Sequence, residues 1–235
     1  MDRLLLLIAA AIPSVLAQAQ PMSLPHAPGI ESPDYVWNAE RATMLQALRD
    51  HADPERGAYA YLVCRRCHGH AGEGDTAGRY PRLAGQHATV LIKQLNDIRA
   101  GQRDNAQMYP AVSEHQVSAR QLADIALHLE RLDPPTSTPA PPHTTAPTLG
   151  ARLYRRDCLH CHGEHAQGDA NAFYPRLADQ HPAYLLRQAQ GIRDRVRRNA
   201  DPEMVETIAH YSDPELEAVI AHIATLSARA GRRPR

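Results

Sequence analysis

Apolar residues recur at helical spacing along most of the chain, and no stretch alternates convincingly as a strand would. Residues 88–100 place Val90, Leu91, Leu95 and Ile98 close to one helical face. Residues 118–132 carry Leu122, Ile125, Ala126, Leu129 and Leu132 at i, i+3, i+4 and i+7. Ser118 supplies a plausible N-cap and Pro134 follows the end. Both patterns return later, at residues 184–192 and 214–226. Upstream, Tyr61, Leu62 and Val63 predict a short helix running to Cys67. Glu40 to His51, with Met44, Leu45 and Leu48, predicts one more amphipathic helix. The fold class that follows is all-α.

The recurrence is an internal repeat. At a constant offset of 94, Tyr80-Pro81-Arg82-Leu83-Ala84 maps onto Tyr174-Pro175-Arg176-Leu177-Ala178, and Gln86-His87 onto Gln180-His181. Leu91, Gln94, Ile98 and Arg99 likewise map onto Leu185, Gln188, Ile192 and Arg193, and Ser118 and Leu122 onto Ser212 and Leu216. Duplicated domains explain so long a match. The expected division is domain 1 over residues 56–133, a Pro/Thr linker over 134–148, domain 2 over 149–228 and a basic tail over 229–235. The linker composition predicts an extended, semi-rigid spacer of polyproline II character. Residues 1–19 read as a Sec signal peptide, with Arg3 as a weak basic start, Leu4 to Leu16 as the apolar stretch and small residues at the cleavage site. That apolar run is short for a bilayer span. The expectation is an exported, periplasmic protein. Residues 20–55 form an N-terminal extension outside the repeat, most simply a helix packed on domain 1.

Composition narrows the function classes. Lys+Arg and Asp+Glu both number 26, and this balance argues against a nucleic-acid partner. With one Trp and one Phe among 235 residues, the chain has few large apolar side chains for its core, and a buried prosthetic group would supply what is missing.

The four cysteines supply that group. They stand as Cys64-Arg65-Arg66-Cys67-His68 and Cys158-Leu159-His160-Cys161-His162. Cys-x-x-Cys-His is the attachment motif of c-type haem: each thiol forms a thioether to a vinyl group, and the adjacent His68 or His162 is an axial iron ligand. Two covalently bound haem c groups are therefore expected. A disulfide within each pair, natural after export, leaves the following histidines unexplained. An iron that only shuttles electrons needs a sixth ligand, and Met is the usual one. Each repeat holds one Met between its second and C-terminal helices: Met108, 40 residues after His68, and Met204, 42 residues after His162. His87 and His181, at matching positions, are alternative ligands, with His115 a further outsider in domain 1. His70, His160 and His165 read as solvent-exposed. The run Arg193, Arg195, Arg197 and Arg198 reads as a solvated helix face.

Taken together, Cys-x-x-Cys-His-Gly at 64–69 and 158–163, the Tyr-Pro-Arg-Leu-Ala segments, the Gln-Leu-Asn-Asp-Ile-Arg-Ala-Gly run at 94–101, the methionines and the terminal helices resemble the dihaem cytochrome c4 family. The resemblance covers roughly residues 56–228 and implies two tandem class I cytochrome c domains, each a small helical bundle around a covalent haem. It also implies that Pro81 and Pro175 offer their carbonyls to the iron-binding histidines. Three features depart from the pattern: Ala178-Asp179 where the first repeat has Ala84-Gly85, the N-terminal extension, and a linker unusually long and rich in Pro. The linker weighs against a tightly packed, two-fold arrangement of the domains.

The function expected is electron transfer without catalysis. The donor would be a quinol-oxidising cytochrome bc complex or a dehydrogenase, and the acceptor a terminal oxidase or reductase. The alternatives are an electron-transfer subunit of a dehydrogenase or oxidase, including a membrane-associated complex, and a dihaem enzyme such as a peroxidase. A zinc protein with paired Cys-x-x-Cys motifs is a further alternative. A thiosulfate-oxidising enzyme would need a Cys ligand, and the chain has no spare Cys.

Overall fold

The computed structural model describes residues 24–39, 44, 47, 51–134 and 147–226. The signal segment, most of the Glu40–His51 helix, the centre of the linker and the basic tail lie outside the described residues. Domain 1 consists of α1 (Pro54–Ala60), a 3-10 turn (Tyr61–Val63), α2 (Arg65–His68), α3 (Ala88–Ala100), α4 (Tyr109–Val112) and α5 (Ala119–Arg131). Domain 2 repeats the order with α6 (Pro147–Leu153), a π turn (Tyr154–Cys158), α7 (Leu159–His162), α8 (Pro182–Arg193), α9 (Pro202–Ile208) and α10 (Asp213–Ile223). Among the described residues the β-structure is an isolated bridge between Asp169 and Tyr174. No helix among them is long and apolar enough to cross a membrane.

The helix ends follow local chemistry. Ser118 and Ser212 open α5 and α10 with capping boxes closed by Gln121 and Glu215. Asp53 caps α1 through the N–H groups of Glu55 and Arg56, with Pro54 as first residue. Domain 2 begins at Pro147, so the last two residues assigned to the linker are helical.

The terminal helix of each domain crosses its first helix at a glycine. A Cβ on Gly57 would lie 2.0 Å from the carbonyl oxygen of Asp124, and one on Gly150 would lie 2.0 Å from that of Ala218. Backbone meets backbone at both crossings, so no side chain can yield. Around them close two cores: Tyr61, Leu91, Leu122, Ile125, Ala126 and Leu129 in domain 1, and Leu153, Tyr154, Leu185, Leu216, Val219 and Ile223 in domain 2. Met44 and Ala47, both helical, are buried in the first core.

The domains are packed together, contrary to the spacing the linker suggested. Much of the contact is two-fold in pattern, with bonds paired at the repeat offset. Arg82 N donates to Gln180 Oε1 at 2.9 Å and Gln180 Nε2 to Arg82 O at 2.8 Å. Arg176 N donates to Gln86 Oε1, and Gln86 Nε2 to Arg176 O, both at 2.9 Å. The Arg82 guanidinium donates to Asp179 O, and that of Arg176 to Gly85 O. His87 Nε2 bonds Gln167 O at 2.8 Å and His181 Nε2 bonds Glu73 O at 2.6 Å. The interface decides the fate of several sequence expectations. His87 and His181, considered as iron ligands, have an imidazole nitrogen committed to the opposite domain. Asp179, an apparent departure from the repeat, adopts φ 65° where Gly85 has φ 74°. Asp tolerates this left-handed region better than most residues, so the same carbonyl is presented on both sides.

The arginine run is likewise not a solvated helix face, since α8 ends at Arg193. Arg193 pairs with Asp194 and Asp213 at 2.7 and 2.6 Å. Arg197 reaches Gln188 at 3.1 Å and, across the interface, Gln94 at 2.9 Å; Arg103 makes the mirrored contacts at 3.0 and 2.8 Å. Burial pulls the Arg197 guanidinium down to about 10. Arg198 pairs with Glu31 at 2.6 Å and Asp104 at 3.3 Å. Only Arg195 of the four is exposed.

Two outcomes follow. Gly150→Ala forces α6 and α10 apart and lowers stability by about 2 kcal/mol or more, read as a fall in thermal midpoint. Burial pushes His87 and His181 below the ordinary 6.5, so the folded state favours their neutral forms. Their stabilising contribution is complete above pH 6.5 and is lost as pH falls through and below it. Urea unfolding from about pH 7.5 to 5 should show that loss, and His181→Gln should make it shallower.

Candidate functional site

Each Cys-x-x-Cys-His motif ends a three-part helical approach. In domain 1, two residues separate Tyr61 from Cys64, and the chain tightens into a 3-10 turn. In domain 2, three residues separate Tyr154 from Cys158, and the chain widens into a π turn that absorbs the extra residue. The two routes converge on one geometry. The buried Tyr61 donates its hydroxyl to Gly69 O at 2.9 Å, and the buried Tyr154 donates to Gly163 O at 2.6 Å. Each tyrosine thereby fixes the glycine that follows the motif histidine.

The motif histidines are both buried, at 6% exposure for His68 and 7% for His162. His68 Nδ1 lies 3.1 Å from Pro81 O, and His162 Nδ1 lies 3.2 Å from Pro175 O. Burial lowers the pKa of both imidazoles, against the opposing effect of the proline carbonyls. A neutral ring that donates from Nδ1 keeps its lone pair at Nε2. The tyrosine before each proline flanks the same ring, Tyr80 at 6.0 Å from His68 and Tyr174 at 6.4 Å from His162, centroid to centroid.

Each cysteine pair lies on one helical turn and is not joined in a disulfide. Burial raises Cys64 to about 11 and Cys158 to about 12. Among the described residues no cluster of His, Cys, Asp and Glu could hold a metal ion. Two cysteines on one turn beside a buried imidazole whose Nδ1 is committed to a proline carbonyl fit a haem attached through two thioethers and held by the other ring nitrogen.

Met108 and Met204 are half-buried and occupy unlike settings. Met108 caps the four-residue α4, whereas Met204 lies inside the seven-residue α9 and packs against the second core. The loops expected to carry them thus contain short helices. Of the remaining histidines, His70, His115 and His160 are exposed and His165 is half-buried.

Sequence reasoning singled out the cysteines, the motif histidines and the prolines. It missed the contact roles of Arg82, Gln86, Arg176 and Gln180. Their signal was present in the repeat itself, because a two-fold contact uses the same surface on both partners. It also missed the buried pair Lys93–Asp97, at 2.6 Å, whose repeat mates are Arg187 and Gly191.

The sequence matches the cytochrome c family twice, over residues 54–133 and 147–227. It is 32% identical to cytochrome c4 of Azotobacter vinelandii over 171 residues, covering 65% of this chain and 78% of that protein. It is 33% identical over 158 residues to the thiosulfate dehydrogenase electron acceptor of Stutzerimonas stutzeri (strain A1501), covering 64% of this chain and 72% of that one. The fold superposes on the crystal structure of reduced recombinant cytochrome c4 from Pseudomonas stutzeri with a TM-score of 0.66 and 29% identity, spanning 74% of this chain and 99% of that one.

Removing either tyrosine hydroxyl strands a buried carbonyl. Tyr61→Phe and Tyr154→Phe should each lower the stability of their own domain by about 1–2 kcal/mol, measured by thermal unfolding with the haem content of both variants held equal.

Proposed function

The chain belongs to the cytochrome c family, as a tandem pair of the cytochrome c4 kind with two covalently bound haem c groups, and on that premise we propose that it is a periplasmic carrier passing electrons from a respiratory donor to a terminal oxidase or reductase. Electron transfer itself is the work of its family. The compartment, the partners and the individual ligands are the finer reading. We assign His68 and Met108 to the first iron and His162 and Met204 to the second, with Cys64, Cys67, Cys158 and Cys161 as the thioether positions. The observation that carries this assignment is the pair of buried, neutral imidazoles, each with Nδ1 committed to Pro81 or Pro175.

When bound, haem supplies a one-electron Fe(III)/Fe(II) couple. The protein's own residues then do three things. The proline carbonyls hold the imidazoles in one tautomer and one orientation, which raises ligand basicity. Met108 and Met204 would each give a haem iron a thioether ligand, which would favour the reduced state and leave no open position for substrate. The cores around Tyr61 and Tyr154 keep water away, so little rearrangement accompanies the change of charge.

The apolar run at residues 4–16 supports export. A dehydrogenase as donor is supported by the relative named as the electron acceptor of thiosulfate dehydrogenase. The absence of any spare Cys for iron ligation supports a carrier over a thiosulfate-oxidising centre.

A pyridine haemochrome assay on exported protein should count two covalent haems, and both irons should contribute to a near-infrared sulfur–iron band. Met108→Leu and Met204→Leu should each remove about half of that band. Rapid turnover of peroxide by the unsubstituted protein would overturn the carrier reading.

A further inference from the structure

The N-terminal extension does more than pack on domain 1. Residues 24–39 run across the junction of the two domains. Ala27 N donates to Gly101 O of domain 1 at 3.0 Å, and Ile30 N donates to Arg198 O of domain 2 at 2.9 Å. Arg198 holds the segment from the other side through Ala27 O at 2.5 Å and Glu31 at 2.6 Å. The Ile30 side chain packs against the second core, while Met44 further along lies in the first.

At the end of this segment stands Trp37, the chain's single tryptophan. Its ring stacks on Tyr174 with centroids 5.7 Å apart and planes 21° from parallel. Beside it, Lys93 Nζ lies 5.1 Å from the indole centroid. Lys93 is 2% exposed and paired with Asp97, which also accepts from Asn199 of domain 2 at 2.8 Å. Tyr174, in turn, flanks His162, with ring centroids 6.4 Å apart.

Among the described residues the first site has no such cover. Tyr80, the mate of Tyr174, meets the side chains of Arg79, which is 76% exposed, and Gln107. Lys93 and Asp97 have no equivalents in domain 2, where Arg187 and Gly191 occupy their places. Among the described residues the strap therefore breaks the two-fold pattern at one haem site only.

We propose that Trp37 is a positioning residue for the second haem site: carried by the strap, it holds Tyr174 against His162 and ties that corner to the Lys93–Asp97 pair of domain 1. It shields one side of the second site from water and makes its environment depend on the first domain. Solvent exposure and burial are among the settings that fix a haem potential, so Trp37 separates the two haems in potential. The proposal rests on the haem ligation assigned above.

The test uses full-length protein carrying two haems by pyridine haemochrome count; a count below two in unsubstituted protein would fault the haem reading itself. Optical redox titration, with the haems assigned by their paramagnetically shifted methyl resonances, is then run on unsubstituted protein, Trp37→Ala and Trp37→Phe. Trp37→Ala should change the reduction equilibrium of the second haem by about threefold or more, the scale of one aromatic contact, and leave the first unchanged. Trp37→Phe, which retains a ring, should restore most of the difference. Hydrogen exchange should rise at residues 173–178 in Trp37→Ala but not at 79–84. Equal shifts of both haems, or an unmoved second haem with two haems present, would overturn the proposal.

Discussion

Each half of this protein turns on one bond, from the Nδ1 of a buried histidine to a proline carbonyl thirteen residues later in the chain. It settles which nitrogen of the imidazole keeps its lone pair and fixes the ring against rotation. It also pins the loop that carries the proline. The next residues of that loop are the interface: Arg82 and Arg176 follow the prolines directly, then Gly85 or Asp179, then Gln86 or Gln180, then His87 or His181. Orientation of the iron-binding imidazole and contact between the domains are thus consecutive properties of one short segment. A disturbance at the interface reaches the histidine within two residues of backbone.

The two-fold pattern joins identical loops, and small differences are absorbed without loss of geometry. One extra residue before Cys158 is accommodated by a wide π turn, where domain 1 uses a tight 3-10 turn, and the tyrosine hydroxyl reaches the same glycine carbonyl in both. An aspartate takes the left-handed conformation of a glycine because only its carbonyl is needed. The differences that persist are those with physical consequences: the settings of Met108 and Met204, the Lys93–Asp97 pair, and the strap bearing Trp37. They make two related sites unequal in their surroundings.

The helices of the repeat, their caps and the site residues near the cysteines were legible in the sequence. Residues 88–100 and 119–131 are helical as their apolar spacing indicates, because that spacing reports burial along one face. The cysteines and histidines were legible because thioether attachment demands adjacent residues, so the constellation is local. Arg197 and Arg198 were misread because a run of charges looks the same whether it faces water or a carboxylate brought in from another segment. His87 and His181 were placed among possible ligands because their partners, Gln167 O and Glu73 O, belong to the other domain. The linker misled for a related reason: composition reports its stiffness, not its path.

By itself the sequence determined what is held within one repeat: all-α secondary structure, two attachment motifs, one methionine per unit and the duplication. These depend on short spacings and on periodicity, which the chain displays directly. Only the tertiary structure decided that the domains meet face to face, that the repeated Arg, Gln and His residues bond across the interface, and that Trp37 stacks on Tyr174. Those outcomes depend on groups some 80 to 170 residues apart in the chain. Their desolvation and hydrogen bonding are settled only once both domains have folded and present matching surfaces.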